Sequence, residues 1–308
     1  MSTVRNGARR PSGTDGEART ERPEASAVPA RNDGSSSAQV EIKDVELRFQ
    51  LEHSPDVVAL DRMSLQIARG EFVAVIGPSG CGKSTLLNLI AGLYRPDGGT
   101  VAVDGAAVES ISSNVGYVTQ HDTLLPWMSL VDNVALPLKL RRRGDRRERT
   151  AHATDWLKRV QLGDFASAYP WQVSGGMRSR AMIARTLSYR PDVLLMDEPF
   201  GKLDALMRLR MQDLLLELWD MQRSTVLYIT HDIEEALRLA DRVVVMSRRP
   251  GKVLAEFPIA AQRPRTTRSD PELAALYDEI WAILQAEIEA SEAEDGKSSS
   301  RRPGSGGR

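Results

Sequence analysis

A glycine-rich segment follows the apolar run 72–76, and its residues could bind phosphate. The segment has the pattern G-x-x-x-x-G-K-S-T, and a helical pattern begins within it. Glycines let the backbone turn its N–H groups inward, and a helix N-terminus favours negative charge. The pattern predicts a loop that binds the phosphates of a nucleoside triphosphate. The residues of this loop are Gly77, Pro78, Ser79, Gly80, Cys81, Gly82, Lys83, Ser84 and Thr85.

Three side chains of this loop have specific chemistry. Lys83 would reach the terminal phosphates, and the Ser84 hydroxyl would bind Mg²⁺. Cys81 is the single cysteine of the chain, which excludes an intrachain disulfide and a multi-cysteine zinc site. Because Cys81 lies inside the loop, we expect a bulky thiol adduct there to exclude the nucleotide.

Two carboxylates end a second apolar run, residues 193–196. Asp197 would lie near the metal, and Glu198 would be free to polarise the attacking water as a general base. An apolar run that ends in Asp-Glu is weak support by itself, since many strands leave the core through acidic residues. In a chain that also carries a phosphate-binding loop, the pair indicates nucleotide hydrolysis.

A serine and two glycines open another helical pattern, at Ser174, Gly175 and Gly176. Such a helix start would form a second anion site, suited to the γ-phosphate of a nucleotide. An ordinary N-cap followed by a flexible turn would use the same residue types. The segment alone does not decide between these two interpretations.

Two polar residues follow further apolar runs. Gln120 ends the run 115–119 and could contact Mg²⁺ or the attacking water, while His231 follows the run 226–230 and could contact the γ-phosphate. A lone histidine is more often structural or solvated, and a lone glutamine carries little information. Their position after strands of the same predicted sheet is what makes them candidates.

Short apolar runs alternate with helical patterns through the chain. Continuous apolar runs are typical of strands buried on both faces, and strand–helix alternation predicts a mostly parallel sheet covered by helices. Residues 122–190 hold helical patterns and no good strand, which predicts a helical insertion. The segments 1–39 and 291–308 have too few apolar residues to form a core, so we expect both to be disordered.

Composition limits the class of protein. The chain has 308 residues, and 41 Lys and Arg balance 42 Asp and Glu, so its net charge is -1. A near-neutral chain argues against a protein that coats nucleic acid. No apolar run approaches the roughly 20 residues needed to span a bilayer, and the first residues lack the apolar region of a secretory signal. We therefore expect a chain that stays in the cytosol unless a partner holds it at a membrane.

Taken in order, these motifs resemble the ATP-binding subunit of ABC transporters. The resemblance covers roughly residues 40–260 and leaves 261–290 as a C-terminal helical extension. It implies an α/β fold of the P-loop NTPase (RecA-like) type, with a mostly parallel sheet, a helical insertion subdomain and an N-terminal antiparallel β portion. It also implies ATP and Mg²⁺ as cofactors, with Ser84, Gln120 and Asp197 toward the metal and Glu198, His231 and Gln120 in catalysis.

The resemblance implies partners as well. Two copies would pair head to tail and sandwich two ATP molecules, with Ser174, Gly175 and Gly176 of one copy facing the phosphate loop of the other. Asp204 would lie at the dimer seam, and Phe49 would stack on adenine. The dimer would act at the cytoplasmic face of the membrane, bound peripherally to integral membrane permease subunits and served indirectly by a solute-binding protein.

Further details point to one branch of the family. Leu125 and Trp127 soon after Gln120, and Met177 after the two glycines, look like the importers for nitrate, sulfonate and taurine. Val173, Met177 and Lys202 depart from the family's commonest residues at their positions. One alternative is a soluble ABC-type ATPase of DNA repair or translation, although such proteins usually carry long coiled coils or a second cassette. A phosphate-loop kinase would lack the Ser174 motif and His231.

Overall fold

The computed structural model describes residues 38–51, 54–201, 203–266 and 270–299. Almost all of the N-terminal segment for which disorder is predicted, together with Lys202 and residues 300–308, lies outside the described residues. Within the described residues, no helix is both long enough and apolar enough to cross a membrane.

A six-stranded sheet forms the centre of the fold. Its strand order is β10-β9-β3-β8-β7-β6, and every neighbouring pair is parallel except β9 with β10. All residues of β3, β7 and β8 are buried, as expected for strands covered on both faces. The strands are β3 (Phe72–Ile76), β6 (Val115–Val118), β7 (Val193–Asp197), β8 (Thr225–Ile229), β9 (Arg242–Met246) and β10 (Val253–Pro258).

A second sheet is antiparallel. Two of its strands come before the first helix in the chain, and two come after it. Its order is β2-β1-β4-β5, and its alternating apolar residues, among them Val40, Ile42 and Leu65, pack in one core with β3 and α1. The mostly parallel central sheet and this N-terminal antiparallel sheet confirm the predicted fold class. The strands are β1 (Ala38–Leu51), β2 (Ser54–Ala68), β4 (Gly98–Val103) and β5 (Ala106–Ala107).

Helices cover the central sheet. The chain between β6 and β7 forms a separate cluster of helices. In that cluster α2, α3 and α4 pack around Leu130, Val134, Leu157 and Ile183. Two short 3-10 helices, Gly163–Phe165 and Pro170–Gln172, join α3 to α4. The helices are α1 (Lys83–Ile90), α2 (Leu130–Leu140), α3 (Arg146–Arg159), α4 (Gly175–Leu187), α5 (Ala205–Gln222), α6 (Ile233–Leu239) and α7 (Pro271–Ser299).

The last helix is longer than the composition predicts. α7 continues to Ser299, beyond residue 291, where we expected the ordered chain to end. Ala and Glu dominate residues 286–294, and both are strong helix formers even where they bury nothing. A segment that cannot form a core can therefore still extend a helix whose earlier turns, at Leu273, Ile280 and Leu284, pack against the domain.

Candidate nucleotide-binding and hydrolysis site

The carboxyl ends of four parallel strands bring the predicted motifs together. Because β6, β7, β8 and β3 are neighbours and run parallel, the segments that follow them meet at one edge of the sheet. Open α/β sheets bind ligands at this edge. A cavity of about 420 Å³ lies there. It is lined by Phe49, Val57, Ala59, Ser79, Gly80, Gly82, Lys83, Ser84, Thr85, Gln120, Glu198 and Arg249.

The glycine-rich loop leads from β3 into α1, as the sequence predicts. Gly82 caps α1 with φ 107°, a conformation that side chains rarely adopt. A Cβ atom on Gly82 would stand 2.9 Å from the carbonyl oxygen of Ala59 and 2.9 Å from Leu60 Cδ2. The turn therefore requires glycine on both conformational and steric grounds.

Lys83 is folded inside its own loop. Its side chain is buried, and Nζ donates to the carbonyl oxygens of Gly77 (2.8 Å) and Pro78 (2.9 Å). These two carbonyl oxygens hold the ammonium charge of Lys83 at the loop. A positive charge fixed in this way attracts phosphate.

Cys81 lies beneath the loop instead of facing the cavity. Its side chain is 1% exposed, packs in the core cluster shared by β3 and the antiparallel sheet, and lies 3.8 Å from Lys83 Nζ. Burial raises the pKa of the Cys81 thiol, and the opposing effect of Lys83 is smaller. An adduct on Cys81 could exclude the nucleotide only after the thiol has reacted, and burial of the thiol hinders that reaction.

We expect maleimide to modify native Cys81 slowly at neutral pH. The thiolate is the reactive form, and both the raised pKa and the burial reduce its availability. Labelling should be complete within minutes in denaturant and much slower in the native protein, as followed by intact mass. Rapid stoichiometric labelling of the folded chain would show that the loop opens readily.

Asp197 and Ser84 form the part of the site suited to a cation. Asp197 is buried, and this burial raises the pKa of its carboxyl; a hydrogen bond from the Ser84 side chain acts in the opposite direction, while neighbouring Glu198 raises the pKa further. Oxygen ligands of this kind fit Mg²⁺. Among the described residues no group of three or more His, Cys, Asp or Glu could hold a metal. One carboxylate and one hydroxyl are donors that fit an ion bound jointly with substrate phosphates, as Mg²⁺ usually is.

Glu198, Gln120 and His231 meet at one carboxylate oxygen. Gln120 Nε2 donates to Glu198 Oε2 at 3.2 Å, and His231 Nδ1 lies 3.2 Å from the same oxygen. Glu198 itself has φ 43°, in the left-handed region that is uncommon for a residue with a side chain. Such backbone strain is often found at functional sites. The fold thus assembles three side chains that follow the ends of three separate strands.

The second glycine motif stands apart from this cavity within one chain. Ser174 is exposed and caps α4, where its hydroxyl accepts from Met177 N–H at 3.3 Å. Asp204 is also exposed and caps α5 by accepting from Met207 N–H at 3.0 Å. Neither of these residues, nor Gly175 or Gly176, lines the cavity. Ser174 and Asp204 are thus exposed helix caps that lie outside this cavity.

Phe49 and Arg249 form the outer wall of the cavity. The Phe49 ring packs edge-on against Tyr94, with the ring centres 5.6 Å apart. Arg249 lies in the segment after β9, and its local sequence gives no signal that it belongs to the site. Its Nε donates to the Gly80 carbonyl at 3.3 Å, because β9 runs parallel to β3 and ends beside the loop.

Comparison with known proteins agrees with this geometry. The family model described as "ABC transporter" matches residues 60–201. The taurine import ATP-binding protein TauB of Rhizobium johnstonii is 49% identical over 245 residues, which cover 77% of this chain and 93% of that protein. TauB of Pseudomonas aeruginosa is 45% identical over 236 residues, which cover 73% of this chain and 89% of that protein.

A solved structure agrees as well. The dimeric structure of an ATP-binding cassette in a post-hydrolysis state, bound to ADP and Pi, superposes with a TM-score of 0.65 at 33% identity. The match covers 72% of this chain and 100% of that one. The predicted resemblance is thereby confirmed, and the names of these relatives give no support to a role in DNA repair or translation. The chain belongs to the ABC transporter family, as an ATP-binding subunit that hydrolyses ATP to drive transport.

Proposed function

We propose that two copies of this chain bind and hydrolyse two ATP molecules between them, and that hydrolysis powers the import of taurine or a related small sulfonate. The contact of Gln120 and His231 with one oxygen of Glu198, beside the phosphate loop, carries the proposal of hydrolysis. The substrate class rests on similarity to proteins named as taurine importers. Nitrate and other aliphatic sulfonates are the nearest alternatives.

Binding depends on the loop after β3. Its backbone N–H groups and Lys83 hold the phosphates, and Phe49 and the other apolar wall residues of the cavity receive the adenine ring. Ser84, Gln120 and Asp197 would hold Mg²⁺, which supplies charge neutralisation on the phosphates. The exposed Arg249 adds a positive charge to the lining of the cavity.

Hydrolysis depends on Glu198. Its carboxylate accepts a proton from the attacking water while the water oxygen bonds to the γ-phosphorus and the bond to the β,γ-bridging oxygen breaks. Gln120 and His231 hold the carboxylate oxygen that does this, so the proton acceptor has a defined orientation. His231 is largely exposed and lines a neighbouring cavity with Gly77, Pro78 and Ser79 of the phosphate loop. From there it would also contact the γ-phosphate.

The second copy supplies the other half of each site. Ser174, Gly175 and Gly176 lie at the start of α4, where free N–H groups and the helix dipole favour an anion, yet they do not reach the cavity of their own chain. A partner copy would meet them. Similarity to a dimeric ATP-binding cassette supports a dimer of two copies. Asp204 would lie at the seam of that dimer.

Membrane subunits complete the transporter. Trp127 is 71% exposed, although it follows the buried Leu124 in a segment that Asn133 pins through hydrogen bonds with the backbone of Leu125. A rigidly held and exposed tryptophan is typical of a contact surface. We propose that permease subunits bind here, so that the chain acts at the cytoplasmic face of the membrane and a solute-binding protein delivers the substrate.

Uptake measurements test the proposed substrate. Deleting the gene for this chain from its host should abolish uptake of labelled taurine. Expression of the wild-type chain in the deletion strain should restore uptake, whereas expression of Lys83→Ala should not. Uptake of labelled nitrate measured in parallel serves as the specificity control. Unchanged taurine uptake in the deletion strain, together with lost nitrate uptake, would reassign the substrate and leave the ATPase assignment intact.

A further inference from the structure

Arg208 in the first turn of α5 contacts two different turns of the site. Its Nη1 lies 3.2 Å from Asp232 Oδ2, and its Nη2 donates to the carbonyl oxygen of Leu203 at 3.3 Å. The side chain is partly buried, which limits the screening of its charge by solvent. Arginine suits this position because its planar group presents several donors in fixed directions.

The first of these turns carries Glu198. After β7 the chain folds back through hydrogen bonds from Gly201 N–H to the Glu198 carbonyl (3.2 Å) and from Leu203 N–H to the Phe200 carbonyl (3.0 Å). Leu203 is therefore linked back to Phe200, and Gly201 to Glu198. A donor bound to the Leu203 carbonyl restrains a residue that is hydrogen-bonded to the segment after Glu198.

The second turn carries His231. Asp232 N–H donates to the Thr230 hydroxyl at 3.1 Å, and Asp232 Oδ1 accepts from Glu235 N–H at 3.1 Å to cap α6. Its other carboxylate oxygen is the one that Arg208 binds. The position of His231, one residue earlier, is thus tied through Asp232 to the helix that bears Arg208.

A further contact fixes α5 against α6 one turn along. Gln212 Nε2 donates to Glu235 Oε1 at 3.0 Å, and both side chains are buried. Glu235 also bonds to Thr230 and Asp232 of the His231 turn, but Gln212 has no hydrogen bond to the Glu198 turn among the described contacts. Arg208 alone, among the described contacts of α5, joins the Glu198 turn to the His231 turn.

We propose that Arg208 is a positioning residue for hydrolysis: by binding the Leu203 carbonyl and the Asp232 carboxylate together, it holds Glu198 and His231 at hydrogen-bonding distance. The proposal rests on the hydrolytic function proposed above. It concerns geometry and not nucleotide affinity, because Arg208 does not line the nucleotide cavity. Small displacements of catalytic groups are costly in rate, which is why a link of this kind matters.

The chain offers a matched control. Arg238 of α6 pairs with Asp213 of α5, with Nη2 and Oδ1 2.6 Å apart. This ion pair joins the same two helices as Arg208 and Asp232 do, but it lies away from both turns. Arg238→Ala should therefore reproduce any general loosening of the two helices without moving Glu198 or His231.

The test compares kcat and KM for MgATP in the purified full-length chain, with the melting temperature measured alongside. Arg208→Ala should lower kcat about tenfold, with KM changed by less than about twofold, since only transition-state geometry is affected. Arg208→Lys should give an intermediate kcat, because one ammonium group replaces two diverging donors. Arg238→Ala should keep kcat near that of the wild type. A cycle with Asp232→Asn should be non-additive, with the double variant no slower than Arg208→Ala.

The possible failures are distinguishable. If Arg208→Ala retains kcat within twofold of the wild type, the positioning role is wrong while hydrolysis by the wild type still stands. If Arg208→Ala and Arg238→Ala lose kcat and melting temperature in equal measure, the two pairs serve stability only, and the positioning role is again overturned. If the wild type itself fails to hydrolyse MgATP, the proposed function fails first.

Discussion

Glu198→Gln is expected to slow ATP hydrolysis by about 10²–10⁴-fold, the scale of general acid–base assistance. Glutamine keeps the shape of the side chain and can still meet Gln120 and His231, but it cannot accept the proton of the attacking water. Nucleotide binding should survive, because the loop N–H groups and Lys83 are unchanged. Single-turnover hydrolysis and equilibrium binding of labelled ATP measure the two effects separately.

The same variant should also report on the dimer. A chain that binds but does not hydrolyse ATP should accumulate as a dimer with MgATP and elute as a monomer without it in size exclusion. Lys83→Ala serves as the control and should stay monomeric in both conditions, because it lacks the charge that the loop holds for phosphate. Turnover by Glu198→Gln at the wild-type rate would place the general base elsewhere.

Trp127→Ala is expected to abolish transport by the assembled transporter and to leave the ATPase activity of the isolated chain nearly unchanged. The indole is 71% exposed, so its removal costs little packing in the chain itself. A large aromatic group at the centre of an interface, by contrast, typically contributes 2 kcal/mol or more to binding, which is roughly 30-fold in affinity. Co-purification with the permease subunits and solute uptake in vesicles measure the loss.

A control for this variant lies on the same group of helices. Leu140, at the other end of α2, is similarly exposed, and Leu140→Ala should leave both transport and ATPase activity intact. If Trp127→Ala lowers the melting temperature sharply, the residue supports the fold and the proposed contact is wrong. Undiminished transport by Trp127→Ala would equally remove this segment from the interface.

The sequence by itself determined the parts of the site that depend on local spacing. The phosphate loop needs glycines at fixed positions, a strand before it and a helix after it, and residues 72–90 encode all of these. The continuous apolar runs likewise predicted strands buried on both faces. Their alternation with helical patterns predicted the parallel sheet. Because parallel strands end at one edge, that inference also brought Glu198, Gln120 and His231 into one neighbourhood before any distance was known.

Tertiary structure alone decided what depends on the order of the strands and the packing of the helices. β9 lies beside β3, so Arg249 joins a loop more than 160 residues earlier in the chain, and no local pattern signals this. Cys81 belongs to the phosphate loop in sequence, but its side chain is buried in the core, so the adduct expected to exclude the nucleotide forms only slowly in the folded chain. Arg208 lies in an amphipathic helical pattern where an arginine predicts only a solvated face. Its two partners are acceptors on separate turns, and they become neighbours only when α5 packs against α6.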